Sequence, residues 1–334
     1  MKKIAILGSG GWGTALAIAL ARSRQPHRLA LWARRAELCE SLRSTRINQT
    51  YLPGAALPAE VEVTSELADA LGGADIVLGV IPSEHARVVY TQALPHLRPG
   101  MVFVSATKGL EFPSLVRMTE LIRSIVQAQI PARVAALSGP SFAAEVARGD
   151  PTAVVVASED TALAAEIQEE FSGSTFRLYT NSDVAGIELG GALKNVIAIA
   201  AGVCEGLGLG HNTRAALITR GLAEITRLGC ALGGRRETLA GLAGMGDLVL
   251  TATGGLSRNR RVGVALGRGE KLEAILSATR MVAEGVRTTA AAVELARRAG
   301  IEMPITAQMY AVLYQGRAPR EAIRELMERR LRNE

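Results

Sequence analysis

Apolar runs and amphipathic stretches alternate through the first half of the chain. Residues 3–8 are a short run apolar at successive positions, the pattern of a strand covered on both faces. Residues 12–24 place Leu16, Ala19 and Leu20 at helical spacing. Residues 28–33, 76–81, 101–105, 134–137 and 152–157 read as further buried strands, with helical stretches fitting between them. Such alternation predicts an α/β fold with a mainly parallel, doubly wound sheet and helices on both faces.

After about residue 180 the pattern becomes helical throughout. Two long helices are predicted over residues 183–203 and 213–229. Shorter ones are predicted over 239–243, 259–266, 271–278, 288–299, 305–314 and 319–331. No strand pattern, internal repeat or low-complexity linker interrupts them. The expected organisation is a sheet domain over residues 1–180 and an all-α domain over residues 181–334.

Residues 8–13 sharpen the first domain. Gly8-x-Gly10-x-x-Gly13 follows a strand and opens a helix, the context that gives this spacing meaning. Gly8 permits the tight turn, Gly10 admits a pyrophosphate to the backbone, and Gly13 lets helix pack on strand. The free N–H groups and positive dipole end at the helix N-terminus would hold the phosphates. The alternative is a tight turn with no ligand. A Rossmann-type dinucleotide domain is therefore expected. Its second strand ends Trp32-Ala33-Arg34-Arg35, with no carboxylate to take ribose hydroxyls. Arg34 and Arg35 suit a 2′-phosphate, which favours NADPH and leaves NADH open, as does the nearby Glu37. The competing reading is two solvated arginines.

Composition removes other classes. The chain has 334 residues, 48% of them hydrophobic, enough for two packed cores. Aromatic residues are only 4%, too few for a platform that stacks nucleic-acid bases. The net charge of +6 comes from scattered residues with no basic run, so no nucleic-acid partner is expected. It suits anionic small molecules, or simply an Arg-rich surface. Cys39, Cys204 and Cys230 are too far apart for a zinc site and odd in number, so neither a metal nor a disulfide framework is expected. They read as buried, which disfavours a thiohemiacetal mechanism. The N-terminal apolar run is too short for a signal peptide. No charge-free stretch of about 18 apolar residues occurs. A cytoplasmic protein without membrane insertion is the expectation.

Candidate chemistry clusters at predicted element ends. Lys108 lies in ATKGLE and Gly139 and Ser141 in SGPSFA, both after strands of the sheet domain. Ligands bind at that carboxyl edge in open α/β folds. Lys194 interrupts an apolar helix in GGALKN. A lysine there must be paired or lower its pKa, as a general acid/base requires, unless it snorkels to the surface. Lys108 also reads as an ordinary loop lysine, Asp247 as a helix N-cap after Gly246, and Arg258 with Asn259 as a basic helix start. His27, His85 and His96 lie away from these segments and His211 near a helix start. A His–Asp pair is therefore disfavoured.

Taken together these segments resemble the bacterial NAD(P)-dependent sn-glycerol-3-phosphate dehydrogenases. The similarity lies in GSGGWGTALA (8–17), ATKGLE (106–111), SGPSFA (138–143), ELGGALKNV (188–196), NTRAALITRGLAE (212–224), GLAGMGDL (241–248) and SRNRR (257–261). The resemblance implies reversible reduction of dihydroxyacetone phosphate to sn-glycerol 3-phosphate, a phospholipid precursor. It implies Lys194 as general acid/base and Asp247 as the group orienting it and a substrate hydroxyl. Lys108 would touch substrate and cofactor and stabilise oxyanion character. Gly139, Ser141, Ser257, Arg258 and Asn259 would hold the substrate, with the arginine on its phosphate. Gly11, Trp12, Arg34, Arg35, Ala143, Arg258, Val282 and Glu284 would contact the cofactor. Two positions depart from the family pattern: Gly11 stands where Ser is frequent, and His211 where an acidic residue is. Two competing readings remain, a β-hydroxyacid dehydrogenase of similar architecture and a non-catalytic dinucleotide sensor. The default assembly is a homodimer.

Overall fold

The structure, a computed structural model, describes residues 1–278 and 283–330. The chain forms two compact units, Met1–Glu188 and Leu189–Glu334.

The first unit begins with β1 (Lys2–Leu7), α1 (Gly11–Ala21), β2 (His27–Trp32) and α2 (Ala36–Thr45). A small hairpin follows, β3 (Ile47–Asn48) and β4 (Leu52–Ala56), then β5 (Val61–Thr64) and α3 (Leu67–Leu71). Next come β6 (Ile76–Gly79), α4 (Ser83–Ala93), β7 (Val102–Ser105), α5 (Met118–Val126) and β8 (Arg133–Ser138). The unit continues with α6 (Ala143–Arg148), β9 (Thr152–Ala157), α7 (Thr161–Phe171) and β10 (Phe176–Asn181). Eight strands make one sheet in the order β10-β9-β8-β7-β6-β1-β2-β5. Neighbours are parallel except β8 and β9.

Successive residues of β1 serve opposite faces. Ile4 and Ile6 join a core with Leu16, Leu20, Leu29 and Leu31. Ala5 and Leu7 join another with Val77, Phe103, Leu121 and Ile122. Both faces are covered by helices, so the strand is apolar at every position rather than at alternate ones.

Four strands fall outside the sequence expectation: β3, β4, β5 and β10. β4 contains Pro53 and Gly54, and β5 is only four residues long with Glu62 exposed. β10 buries only Phe176 and Leu178, as an edge strand does, and it runs across the expected division at residue 180. None of these carries a continuous apolar run.

Helix α8 (Val184–Gly206) starts where the Asp183 carboxylate accepts the Gly186 N–H at 2.8 Å. By length and hydropathy it would suit a membrane span, but its apolar window is wholly buried inside the protein. Glu188, in its second turn, is buried and accepts from the Thr119 N–H at 2.9 Å and from the Thr119 hydroxyl at 2.5 Å. Burial pushes the Glu188 carboxyl above its usual range, against the pull of those donors and of Arg117.

In the second unit α8 is followed by α9 (His211–Ala231) and α10 (Arg236–Leu239). A π-helical turn, Leu242–Gly246, then leads into α11 (Asp247–Thr253) and α12 (Arg258–Gly267). The remaining helices are α13 (Leu272–Ser277), α14 (Glu284–Ala299), α15 (Pro304–Tyr314) and α16 (Pro319–Met327). No strand occurs here among the described residues. The helix expected over 239–243 is instead the end of α10 and the start of the π-turn. Gly241, Gly244 and Gly246 weaken α-helical propensity there. α14 starts four residues before the predicted helix, at Glu284.

Helices α8 and α12 cross at backbone contact. A Cβ on Gly202 would overlap the Arg260 carbonyl oxygen, and one on Gly263 the Ile199 carbonyl oxygen. Gly206 and Gly267 repeat the contact one turn on. The crossing fixes α12, from its first turn to its last residue, against the last two turns of α8.

Candidate functional site

At the glycine loop, Gly8 has φ +121°, and a Cβ there would sit 2.5 Å from the Val80 carbonyl oxygen. A Cβ on Gly13 would overlap the Gly8 carbonyl oxygen. Backbone packing therefore requires glycine at both positions. Around Gly10, the N-cap of α1, nothing lies within 4 Å of where a Cβ would be. No side chain caps α1 and no acidic residue stands in its first turn. The first-turn N–H groups and the positive end of the helix dipole are left for an anion. The indole N–H of Trp12 is buried without a partner. An open, uncapped, side-chain-free cradle fits a dinucleotide pyrophosphate. Beyond β2, Arg34 and Arg35 are both exposed, and Glu37 lies in the first turn of α2. The Arg35 guanidinium donates to the Tyr51 hydroxyl at 2.7 Å.

Lys108 follows β7 and is held rather than solvated. Its ammonium donates to the Gly139 carbonyl at 2.8 Å and the Ser141 hydroxyl at 3.1 Å. It also lies 5.9 Å from the centroid of the Trp12 ring. Gly139 has φ +137° and packs its Cα face on Val154, which turns the loop after β8 back toward Lys108. Ala143 opens α6, and a Cβ on Gly11 would come 3.8 Å from its Cβ. The first unit thus gathers Gly11, Trp12, Lys108, Gly139, Ser141 and Ala143 at the carboxyl edge of the sheet, where ligands bind in this architecture.

Lys194 is 4% exposed, so the snorkelling alternative does not hold. Its ammonium forms an ion pair with the Asp247 carboxylate and donates to the Thr251 hydroxyl at 2.8 Å. The local sequence explains the meeting. Gly190 lies one turn before Lys194 on the same face of α8. A Cβ on Gly190 would sit 2.9 Å from the Ala243 carbonyl oxygen, and one on Gly244 would overlap the Leu239 carbonyl oxygen. Both glycines let the π-turn lie against α8 and deliver Asp247 to Lys194. Asp247 opens α11 without capping it, because its carboxylate is turned to the lysine. Thr251, one turn further along α11, donates to the Asp247 carbonyl at 2.6 Å and so presents a lone pair to Lys194. A buried pair of this kind is costly to break, at about 3–5 kcal/mol when one partner is removed.

A second polar network ties α12 and α14 to the lysine helix. Ser257 is the N-cap of α12, accepting the Arg260 N–H at 3.2 Å. The Asn259 amide donates to Asn195 Oδ1 at 2.9 Å and accepts the Gly285 N–H at 3.0 Å. Glu284 is the first residue of α14, directly before Gly285. Arg258 is exposed and forms no ion pair among the described residues. Val282 lies outside the described residues.

The structure adds Thr251 and Asn195 to the second unit's network, and Tyr51 beside Arg35. Thr251 had a legible signal, since it follows Asp247 at i+4 on one helix face. Asn195 adjoins Lys194. Nothing in the sequence pairs Tyr51 with Arg35. Two of the cysteines, Cys39 and Cys204, are buried as expected, whereas Cys230 is exposed. Burial pushes the Cys204 thiol up to about 11, an unreactive state. No cluster of His, Cys, Asp or Glu that could hold a metal occurs among the described residues.

Two family models cover most of the chain. The NAD-dependent glycerol-3-phosphate dehydrogenase N-terminus matches residues 3–164, and the C-terminus of the same family matches residues 183–324. A glycerol-3-phosphate dehydrogenase (NAD(P)+) of Koribacter versatilis is 61% identical over 330 residues, covering 98% of each chain. That of Geobacter sulfurreducens is 53% identical over 333 residues, covering 100% of this chain and 99% of its own. The crystal structure of glycerol-3-phosphate dehydrogenase from Coxiella burnetii superposes with a TM-score of 0.92 at 41% identity, over 98% of this chain and 99% of that one. With both halves matched in order and the glycine loop and lysine network in place, the chain belongs to the NAD-dependent glycerol-3-phosphate dehydrogenase family.

Proposed function

We propose that the protein reduces dihydroxyacetone phosphate reversibly to sn-glycerol 3-phosphate with a reduced nicotinamide dinucleotide, supplying phospholipid synthesis. The observation that carries this reading is the buried Lys194–Asp247–Thr251 group, with Arg258 at the start of the adjoining α12. The nicotinamide, when bound, supplies the hydride that reduces the carbonyl carbon.

The chain's own residues do the rest. Lys194 donates the proton to the carbonyl oxygen and takes it back in the reverse direction. Asp247 and Thr251 hold its ammonium in one orientation, and Asp247 also orients a substrate hydroxyl. Lys108 places a second positive charge for the developing oxyanion. Arg258 takes the phosphate, with Ser257, Asn259, Gly139 and Ser141 as further substrate contacts. Residues 1–180 serve as the dinucleotide domain and residues 181–334 as the substrate and catalytic domain. Gly8, Gly10, Gly11, Trp12, Gly13, Ala143 and Glu284 serve the cofactor, as does Val282. Arg34 and Arg35 favour NADPH over NADH, because no carboxylate at the end of β2 competes for the ribose. The working form is a homodimer in the cytoplasm.

The deciding experiment is a steady-state assay of dihydroxyacetone phosphate with each reduced cofactor, beside 3-hydroxyisobutyrate with each oxidised one. Turnover of the phosphotriose, faster with NADPH, is expected. Turnover of the hydroxyacid alone would assign the lysine network to β-hydroxyacid oxidation instead. Cofactor binding with no turnover of either would leave only a sensor.

A further inference from the structure

The β3–β4 hairpin is packed onto the dinucleotide loop by a buried amide. Asn48 is fully buried, and its side-chain nitrogen donates to the Ser9 carbonyl at 2.8 Å and to the Thr14 hydroxyl at 2.8 Å. Its side-chain oxygen accepts the Tyr51 N–H at 3.1 Å. One amide therefore joins the glycine loop, the first turn of α1 and the tip of the hairpin. The Tyr51 carbonyl is pressed against Gly11 so closely that a Cβ there would lie 2.7 Å from its oxygen. This contact is a physical reason for glycine at residue 11 in this chain.

The other end of Tyr51 faces Arg35. Its hydroxyl accepts from the guanidinium at 2.7 Å, and the guanidinium carbon is 5.7 Å from the centre of its ring. An arginine on an exposed loop loses side-chain entropy when it grips a phosphate, and a partner that already holds it reduces that loss. We propose that Tyr51, anchored by Asn48, is a positioning residue for cofactor specificity, holding Arg35 ready for a 2′-phosphate. This rests on the reading of Arg35 as a 2′-phosphate ligand.

The test measures binding, not turnover. Dissociation constants of NADPH and NADH are determined by calorimetry for the wild type, Tyr51→Phe, Arg35→Ala and the double variant. Loss of the Tyr51 hydroxyl is expected to weaken NADPH about fivefold, the effect of one hydrogen bond, and to leave NADH within about twofold. Arg35→Ala is expected to weaken NADPH at least tenfold. In the Arg35→Ala background, Tyr51→Phe is expected to change nothing further, because Tyr51 acts through that guanidinium. An equal loss in both backgrounds would overturn the proposal, as would weakening of NADH in step with NADPH. If Arg35→Ala leaves the NADPH-to-NADH ratio unchanged, the 2′-phosphate reading fails and the proposal with it. If Arg35→Ala lowers that ratio and Tyr51→Phe does not, only the role of Tyr51 fails.

Discussion

The two candidate lysines, one in each unit, are built in opposite ways. Lys108 is half-buried on a loop and donates to a backbone carbonyl and a hydroxyl. Lys194 is buried on a long helix and held by a carboxylate. The first is positioned by backbone at a sheet edge, where strands end and loops turn over one another. The second is positioned by side chains on helix faces that glycines allow to approach. A lysine at the carboxyl edge of such a sheet stands where ligands bind in this architecture. A charge locked to a carboxylate is oriented, and suited to moving a proton to one atom. Under the proposed function this contrast goes with an electrostatic role for Lys108 and an acid–base role for Lys194.

The strongest test of this contrast is the pair of alanine variants. Lys194→Ala is expected to lower kcat about a hundredfold or more, with far-ultraviolet circular dichroism unchanged. A loss within about tenfold would remove Lys194 from the proton transfer. Lys108→Ala is expected to cost about tenfold to a hundredfold in kcat/KM. Part of that loss should appear in KM, because the ammonium would be offered to the bound ligands in the ground state as well. A loss confined to kcat for Lys108 would erase the distinction between the two lysines. Asp247→Asn is expected to fall between them, since it keeps the shape of the partner and removes its charge.

Much of this was legible in the sequence, for physical reasons that also mark where it stopped. Strands buried on both faces announce themselves as apolar runs, so β1, β2, β6, β7, β8 and β9 were visible. β5 and β10 sit at the sheet edges and expose part of their length, which breaks that pattern. Lys194 stood out because charge is rare in an apolar helix, yet the sequence left open whether it was paired or snorkelled. That choice depends on Asp247, which reaches it through a π-turn that no periodicity encodes. The hairpin that carries Tyr51 was missed because Pro53 and Gly54 dilute its strand signal. The same hairpin supplies the partner of Arg35, so the loss of one short element hid a candidate determinant of specificity.

The glycine crossing of α8 and α12 gives a smaller, structural test. Gly263→Ala would push a methyl into the Ile199 carbonyl oxygen, and the backbones must part to admit it. Overpacking of this kind costs about 1–3 kcal/mol. A fall in Tm is expected, together with a raised KM for dihydroxyacetone phosphate, because Arg258 and Asn259 begin the displaced helix. Reduction of unphosphorylated dihydroxyacetone should change less, as it does not use the arginine. An equal loss on both substrates would mean that the crossing supports the fold alone and does not set the phosphate contact.

The smallest expected effect separates buried carboxylates from those at the surface. Glu224 is buried on α9 and caps the start of α15, accepting the Ile305 N–H at 2.6 Å and the Thr306 N–H and hydroxyl each at 3.1 Å. Burial nonetheless holds its carboxyl above the usual range, outweighing those donors and Arg227. The folded protein therefore binds a proton here more tightly than the unfolded chain does. The stability from this group is fully present below the ordinary glutamate range and is lost as pH rises through the raised value. Asp160 is the opposite case, held low by the Leu163 N–H and by Arg133, and its contribution is lost as pH falls. Comparing Glu224→Gln with the wild type isolates the first effect, because every other titrating group is common to both proteins. The stability advantage of the wild type over the variant, from urea unfolding at a series of pH values, should be largest in acid and shrink as pH rises from the carboxylate range toward neutrality. An advantage that grows with pH would mean that the three donors, and not burial, govern Glu224.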